Sequence, residues 1–244
     1  MNGGLATNQA LLQALVPAVN RISGVKCAVC APFPYLAQVQ QLLSGSGVAW
    51  GAQNMSQFDN GAYTGEVSGS MLLDFGCRYV IVGHSERRTI FGESSQAVAR
   101  KYAAALKTGL TPILCVGETL EQRERGTTED TVAAQLDAVI ERSEAGSFGQ
   151  AVIAYEPVWA IGTGKTATPE DAQEVCGAVR RRLAETHGEE LARGIRVLYG
   201  GSVKASNIAG IMAQPDVDGA LVGGASLDAE EFAQICRFPE HITR

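Results

Sequence analysis

Residues 151–179 read AVIAYEPVWAIGTGKTATPEDAQEVCGAV, a complete strand–loop–helix unit. Ala151 to Tyr155 is a short apolar run without polar alternation, the pattern of a strand covered on both faces. Glu156 and Pro157 stand at its mouth. Thr168-Pro169-Glu170-Asp171 then opens a helix, with Thr as cap, Pro in the first turn and two acids at the positive end of the dipole. The spacing predicts that helix over Thr168 to Thr186.

The same unit recurs on either side. Apolar runs start at Val25 (VKCAVCAP), Val48 (VAWGAQN), Tyr79 (YVIVGHSE), Thr111 (TPILCVGE), Ile195 (IRVLYGG) and Gly219 (GALVGGA). Helical patterns fall between them, among them Ser94 to Lys107, with Gly109 as a stop signal, and Thr127 to Arg142. Strand then helix, repeated, leaves an open doubly wound sheet or a (β/α)8 barrel. The first strand is not followed by G-x-G-x-x-G, which disfavours the dinucleotide-binding sheet and favours the barrel. The reading gives seven strands but eight helices. The helix without a strand is the first, a stripe of Leu11, Leu12, Leu15, Val16 and Val19 that Pro17 should kink or weaken.

A chain of 244 residues with no Pro/Ser-rich linker, charge block or low-complexity tract reads as a single domain, 1–244. A hydrophobic fraction of 45% lets it bury a large core. A net charge of −6 argues against a nucleic-acid footprint, while leaving room for a local anion site. No apolar run spans a bilayer and no signal layout opens the chain, so a cytoplasmic protein without a membrane partner is expected. Six cysteines suit a reducing compartment. Cys27 and Cys30 form C-x-x-C, but no second pair has metal spacing, and residues three apart on a strand face opposite ways. They read as two buried strand thiols.

In a barrel the chemistry gathers where strands end. Glu156 is expensive to desolvate unless it is used, and it suits a general base. The segment after it has a small, Gly-rich tip between stiffer flanks, the composition of a hinged lid. An ordinary loop with a surface salt bridge is the bland alternative. His84 is one of three histidines; His187 and His241 lie in polar contexts and read as solvated. At a strand end opening the helix SERR, His84 is expected to have its pKa lowered by the helix dipole, leaving a neutral imidazole to donate to a carbonyl. Gly200-Gly201-Ser202 and Gly223-Gly224, at the ends of the last two strands, offer bare N–H groups for a phosphate. GTGKT imitates a P-loop tail, but the motif needs Gly where Trp159 stands.

Together VIVGHSERR, ILCVGE, AYEPVWAIGTGKTAT, LYGGSV, GALVGGASL and GAQNMSQFDNGAYTGE resemble the triosephosphate isomerases over nearly the whole chain. The resemblance implies a TIM barrel that interconverts dihydroxyacetone phosphate and glyceraldehyde 3-phosphate in glycolysis and gluconeogenesis. It implies Glu156 as the base and His84 as the electrophile, with Glu86 as a supporting carboxylate. Gly162, Ser202, Gly223 and Gly224 would clamp the phosphate. No metal or organic cofactor is implied. The long polar stretch Gln53 to Ser68 would dock into a second copy in a homodimer, with Thr64 approaching the partner's site.

The resemblance breaks at the start. Family members open with a strand leading into N-x-K-M-N-G, whose Lys supplies positive charge; Met1-Asn2-Gly3 match only the last three residues of that turn. Of Lys26, Lys101, Lys107, Lys165 and Lys204, none stands in an equivalent place. The expectation is a barrel opened by one strand of about five or six residues, its native product longer than the chain as written. The competing expectation is a catalytically impaired phosphate-binding barrel that lacks the active-site Lys.

Overall fold

Seven parallel strands form one sheet in chain order: β1 (Ala28–Ala31), β2 (Ala49–Ala52), β3 (Tyr79–Val82), β4 (Thr111–Val116), β5 (Val152–Tyr155), β6 (Arg196–Tyr199) and β7 (Gly219–Ala220). The computed structural model describes residues 1–143, 146–161 and 166–240. All seven expected strands are present. Only β7 is much shorter than its apolar run, although Leu221 N–H still donates to the Tyr199 carbonyl at 2.9 Å.

Period-two alternation sorts the strand side chains into two layers. Ile81, Ile113, Cys115, Val152 and Ala154 form an inner cluster, with Cys30, Leu198 and Leu221 packed on it. Their neighbours Val80, Val82, Leu114, Val116, Ile153 and Tyr155 face outward into the helices. Both faces are therefore covered, which is why the strands read as unbroken apolar runs.

Eleven α-helices among the described residues occupy eight positions around the sheet. The first position is α1 (Leu5–Val19), ahead of β1; α2 (Leu36–Leu43) follows β1 and α3 (Gly69–Asp74) follows β2. Two helices follow each of the next three strands: α4 (Ser85–Thr89) and α5 (Ser95–Thr108), α6 (Leu120–Glu124) and α7 (Thr128–Ile140), α8 (Pro169–His187) and α9 (Glu189–Gly194). The last two positions hold α10 (Ile208–Met212) and α11 (Ala229–Cys236). The caps act as the sequence predicts: Thr168 and Asp171 form a capping box on α8, Ser94 caps α5, and Gly109 ends α5 at φ 86°. Pro17 does not break α1, because it lies on an exposed face where the carbonyl it leaves unbonded meets water.

Among the described residues β1 pairs only with β2 and β7 only with β6, so the sheet is a seven-stranded arc. Helix α1 packs on both α2 and α11 outside the open side. No described helix is long and apolar enough to cross a membrane.

The 53–68 stretch is not a loose loop. Ser56 N–H donates to the Val67 carbonyl at 2.7 Å and closes its base. Contacts to α5 tether it: Asn54 with Lys101 at 2.8 Å, Gln57 with Arg100, and Asp59 with Lys107. Lys101 is buried and also pairs with Glu93 at 2.5 Å, as does Arg87. Burial would raise the Glu93 carboxyl, but the bonds from Lys101 and Arg87 outweigh it and hold the carboxyl below its ordinary value. Its ionised form thus stabilises the fold above the ordinary carboxylate range, near 4.3, and that stability disappears as pH falls through the lowered folded value. Glu93→Gln should cost about 2–3 kcal/mol at pH 7, and the gap from wild type should close in acid. Denaturant unfolding at both pH values measures it.

Candidate active site

Strand β3 leaves the sheet through Gly83, whose φ of 72° suits glycine and whose Cβ, if present, would lie 2.7 Å from Val98. Arg88 fixes the turn by donating to the Gly83 carbonyl at 2.8 Å and to Cys115 O on β4 at 3.1 Å. The chain then presents His84, half-buried, as the cap of α4.

Glu156 follows β5 and is 2% exposed. The structure brings it to His84: Nε2 lies 2.9 Å from Glu156 Oε1. Ser85 adds its backbone N–H to Oε2 at 2.8 Å and its hydroxyl to Oε1 at 3.3 Å. The salt-bridged surface carboxylate of the bland reading is not what forms. Gly117 at the end of β4 makes room, since a Cβ there would fall 1.8 Å from the Glu156 carbonyl oxygen. A cavity of about 140 Å³ lies beside the pair, lined among others by Gly83, Ser85, Gly117, Gln135 and Glu156.

Glu86 N–H, in the first turn of α4, donates to His84 Nδ1 at 3.3 Å. Nδ1 is therefore an acceptor, and the ring carries its proton on Nε2 toward Glu156, the geometry of a neutral imidazole. The net pKa direction nevertheless differs from the expected lowering. Burial does lower it, but the hydrogen bond and charge of Glu156, with the charge of Glu86, outweigh burial and Arg87 and raise it.

The remaining expected residues are placed less uniformly. The Glu86 carboxylate is exposed, 3.9 Å from His84 Nδ1, and pairs with no lysine or arginine among the described residues. Tyr199 pairs with Ala220 across β6 and β7, so Ser202 and Gly223, each three residues on, leave neighbouring strands at one level. Asn207 ties the first turn, bonding Ser202 O at 2.9 Å and Lys204 N at 2.8 Å. Gly223 and Gly224 have open space where a Cβ would stand. Gly162, in the expected lid, and His241 lie outside the described residues. His187 is not simply solvated, for its ring packs against Phe148 with centroids 5.2 Å apart and the planes tilted by 35°. Thr64 sits exposed on the 53–68 loop.

Sequence reasoning gave no role to Ser85 or Glu118. Glu118 is fully buried two residues beyond β4. Its Oε1 receives Trp159 Nε1 at 2.8 Å, Tyr155 OH at 3.1 Å and Arg123 at 3.4 Å, so it grips the segment that follows Glu156. Burial pushes its carboxyl up against the lowering pull of those donors. The signal was available, since Glu118 follows an apolar strand just as Glu156 does.

Comparison with known proteins bears on this arrangement. Residues 1–239 match the family model described as triosephosphate isomerase. A triosephosphate isomerase of Thiobacillus denitrificans is 62% identical over 237 residues, covering 97% of this chain and 94% of the relative. Those of Nitrosomonas europaea, 58% identical over 97% of this chain and 93% of the relative, and Dechloromonas aromatica, 53% over 97% and 94%, are similar along the same span.

Because Glu156 sets the His84 proton affinity, Glu156→Gln should move the His84 titration downward while Nε2 keeps its proton in the neutral form. Nitrogen-15 NMR of the histidine ring reads both. An unchanged midpoint would show that the carboxylate does not govern the ring.

Proposed function

The chain belongs to the triosephosphate isomerase family, and from that premise we propose that it interconverts dihydroxyacetone phosphate and glyceraldehyde 3-phosphate with Glu156 as base and His84 as proton donor. We read residues 1–244 as one domain acting in the cytoplasm, in glycolysis and gluconeogenesis. The observation that carries the reading is the buried carboxylate held 2.9 Å from a His Nε2 at adjoining strand ends.

The geometry supports one order of events. Glu156 has both oxygens engaged by His84 and Ser85, so neither is free to take a substrate proton until one of those donors is drawn away. Substrate entering between the two side chains takes over the His84 Nε2–H with its carbonyl oxygen, which frees the carboxylate. Glu156 then removes a proton from C1 of dihydroxyacetone phosphate. The negative charge moves to the oxygen on C2, which His84 stabilises as an enediolate. Return of the proton to C2, with the oxygen protons exchanged through His84, gives the aldehyde. Ser202, Gly223 and Gly224 would hold the phosphate near the first turn of residues 224–227, with Gly162 closing over it.

One observation favours the impaired alternative. Among the described lysines, Lys101 is bound to Glu93 and Asn54 and Lys107 to Asp59, and none bonds His84 or Glu156. A coupled assay of this chain decides: turnover near that of the relatives would sink the impaired reading. Glu156→Gln should lower turnover by about 10²–10⁴-fold while binding of inorganic phosphate stays unchanged. Activity surviving that change would remove Glu156 as base.

We also propose a homodimer formed through the 53–68 loop, with Thr64 toward the partner's site. Phe58 and Tyr63 stack at 4.0 Å on this loop and stay about 40% exposed. Met71, Ile90 and Phe91, farther along the chain, are 52%, 72% and 65% exposed. Such apolar exposure calls for a covering surface. The double change Phe58→Asp with Tyr63→Asp should convert a sedimenting dimer to monomer; a dimer unaffected by it would place the interface elsewhere.

A further inference from the structure

Arg88, in the last turn of α4, gives its guanidinium to three neutral oxygens. Nε donates to Gly83 O at 2.8 Å, Nη1 to Ser95 Oγ at 3.1 Å and Nη2 to Cys115 O at 3.1 Å. Its neighbour Arg87 pairs with Glu93, whereas Arg88 pairs with no carboxylate among the described residues. A half-buried cation without a counterion is costly, so its place needs a reason.

The acceptors supply one. The ladder between β3 and β4 ends at the pair Val82 and Leu114. Gly83 and Cys115 stand one residue further on, where Gly83 has already turned away at φ 72°. Nε and Nη2 bridge these two carbonyls beyond the ladder. The Gly83 carbonyl belongs to the same planar peptide group as the His84 N–H, so holding that oxygen orients the backbone from which the imidazole projects. On the other side, Val116 follows Cys115 and accepts the Glu156 N–H at 2.8 Å. One guanidinium thus ties the backbone that carries His84 to the strand that holds Glu156.

Only arginine suits the task. Its rigid fork offers donors in several directions at once, whereas the single nitrogen of a lysine cannot span Gly83, Ser95 and Cys115 together. Arg88 also lines the cavity of about 140 Å³ beside Glu156. Burial draws the guanidinium below its ordinary value, and the charges of Cys115, Glu156 and Glu93 oppose that. Arg88 and Glu156 therefore attract each other without an ion pair that would hold the carboxylate back.

We propose, on the reading that the chain is an isomerase, that Arg88 is a positioning residue: by clamping the end of β3 to β4 it sets His84 Nε2 against Glu156, and it touches no substrate itself. A misplacement of about 1 Å in such a pair costs on the order of 10²-fold in rate. The clamp bonds to Gly83, Ser95 and Cys115 and to nothing on β6 or β7, whose ends carry the proposed phosphate turns. Loosening it should therefore lower kcat and spare KM.

The test is Arg88→Lys, which keeps the charge and loses the fork. The coupled assay should show kcat lower by about 10–100-fold with KM within about twofold of wild type. Burial lowers the His84 titration and the Glu156 bond raises it. A ring displaced from Glu156 should therefore titrate lower by nitrogen-15 NMR, in the direction of Glu156→Gln but by less. An unchanged kcat overturns the proposal. A lower kcat with the His84 midpoint unmoved also overturns it and leaves Arg88 a residue of the fold alone. If the wild-type chain does not turn over triose phosphate, the proposed reaction fails, while the midpoint in Arg88→Lys still decides whether the clamp places the ring. Should Arg88→Lys not fold, Ser95→Ala removes one acceptor and leaves the guanidinium in place. It should move the midpoint the same way by a smaller amount, and an unmoved midpoint there overturns the proposal.

Discussion

A carboxylate that is 2% exposed must find donors, and the demands of Glu156 organise four strands. Its backbone N–H donates to Val116 O at 2.8 Å, which locks β5 to β4. Its side-chain oxygens take Ser85 and His84 from beyond β3. Gly200 N–H donates to Tyr155 O at 2.7 Å on the other side, which brings β6 into line. Gly117 lacks the side chain that would collide with its carbonyl. The parallel register puts all these strand ends at one level, so a buried carboxylate is tolerated only within this sheet order.

What was legible in the sequence follows from what is local. The strands announced themselves because each is covered on both faces, and the helices did so through their caps: Thr168 with Asp171, Ser94, and Gly109. Glu156 and His84 stood out because a carboxylate or an imidazole at the end of an apolar run is rare and costly. The bond between them joins residues 72 positions apart and depends on how β3, β4 and β5 align, so it could not be read locally. For the same reason the pKa direction of His84 was misjudged: the helix terminus is visible in the sequence, while the approaching carboxylate is not. The eleven helices among the described residues, by contrast, differ from the expected eight only because single outer positions are filled by two shorter pieces, as at 85–89 and 95–108.

Glu118 and Glu156 follow neighbouring strands, have similar burial and are satisfied by different kinds of donor, and that difference separates what each can do. The donors to Glu118 from other residues are side chains, and Trp159 among them belongs to the segment that follows Glu156. Arg123 braces the same indole by lying 4.8 Å from its ring centroid, and reaches Asp171 at the start of α8. Any movement of residues 157–161 must therefore weaken the hold on a carboxylate with no solvent to fall back on, and whose Oε2 has no partner among the described residues. That cost holds the segment where it is until another interaction repays it. The donors to Glu156 are a backbone N–H, a hydroxyl and an imidazole, all on the far side of the opening and all able to serve a substrate oxygen in its stead. Losing Glu156 leaves His84 with a donor that a carbonyl can occupy, whereas losing Trp159 leaves Glu118 with a deficit. In the proposed reaction the first carboxylate is the one a substrate releases, and the second resists.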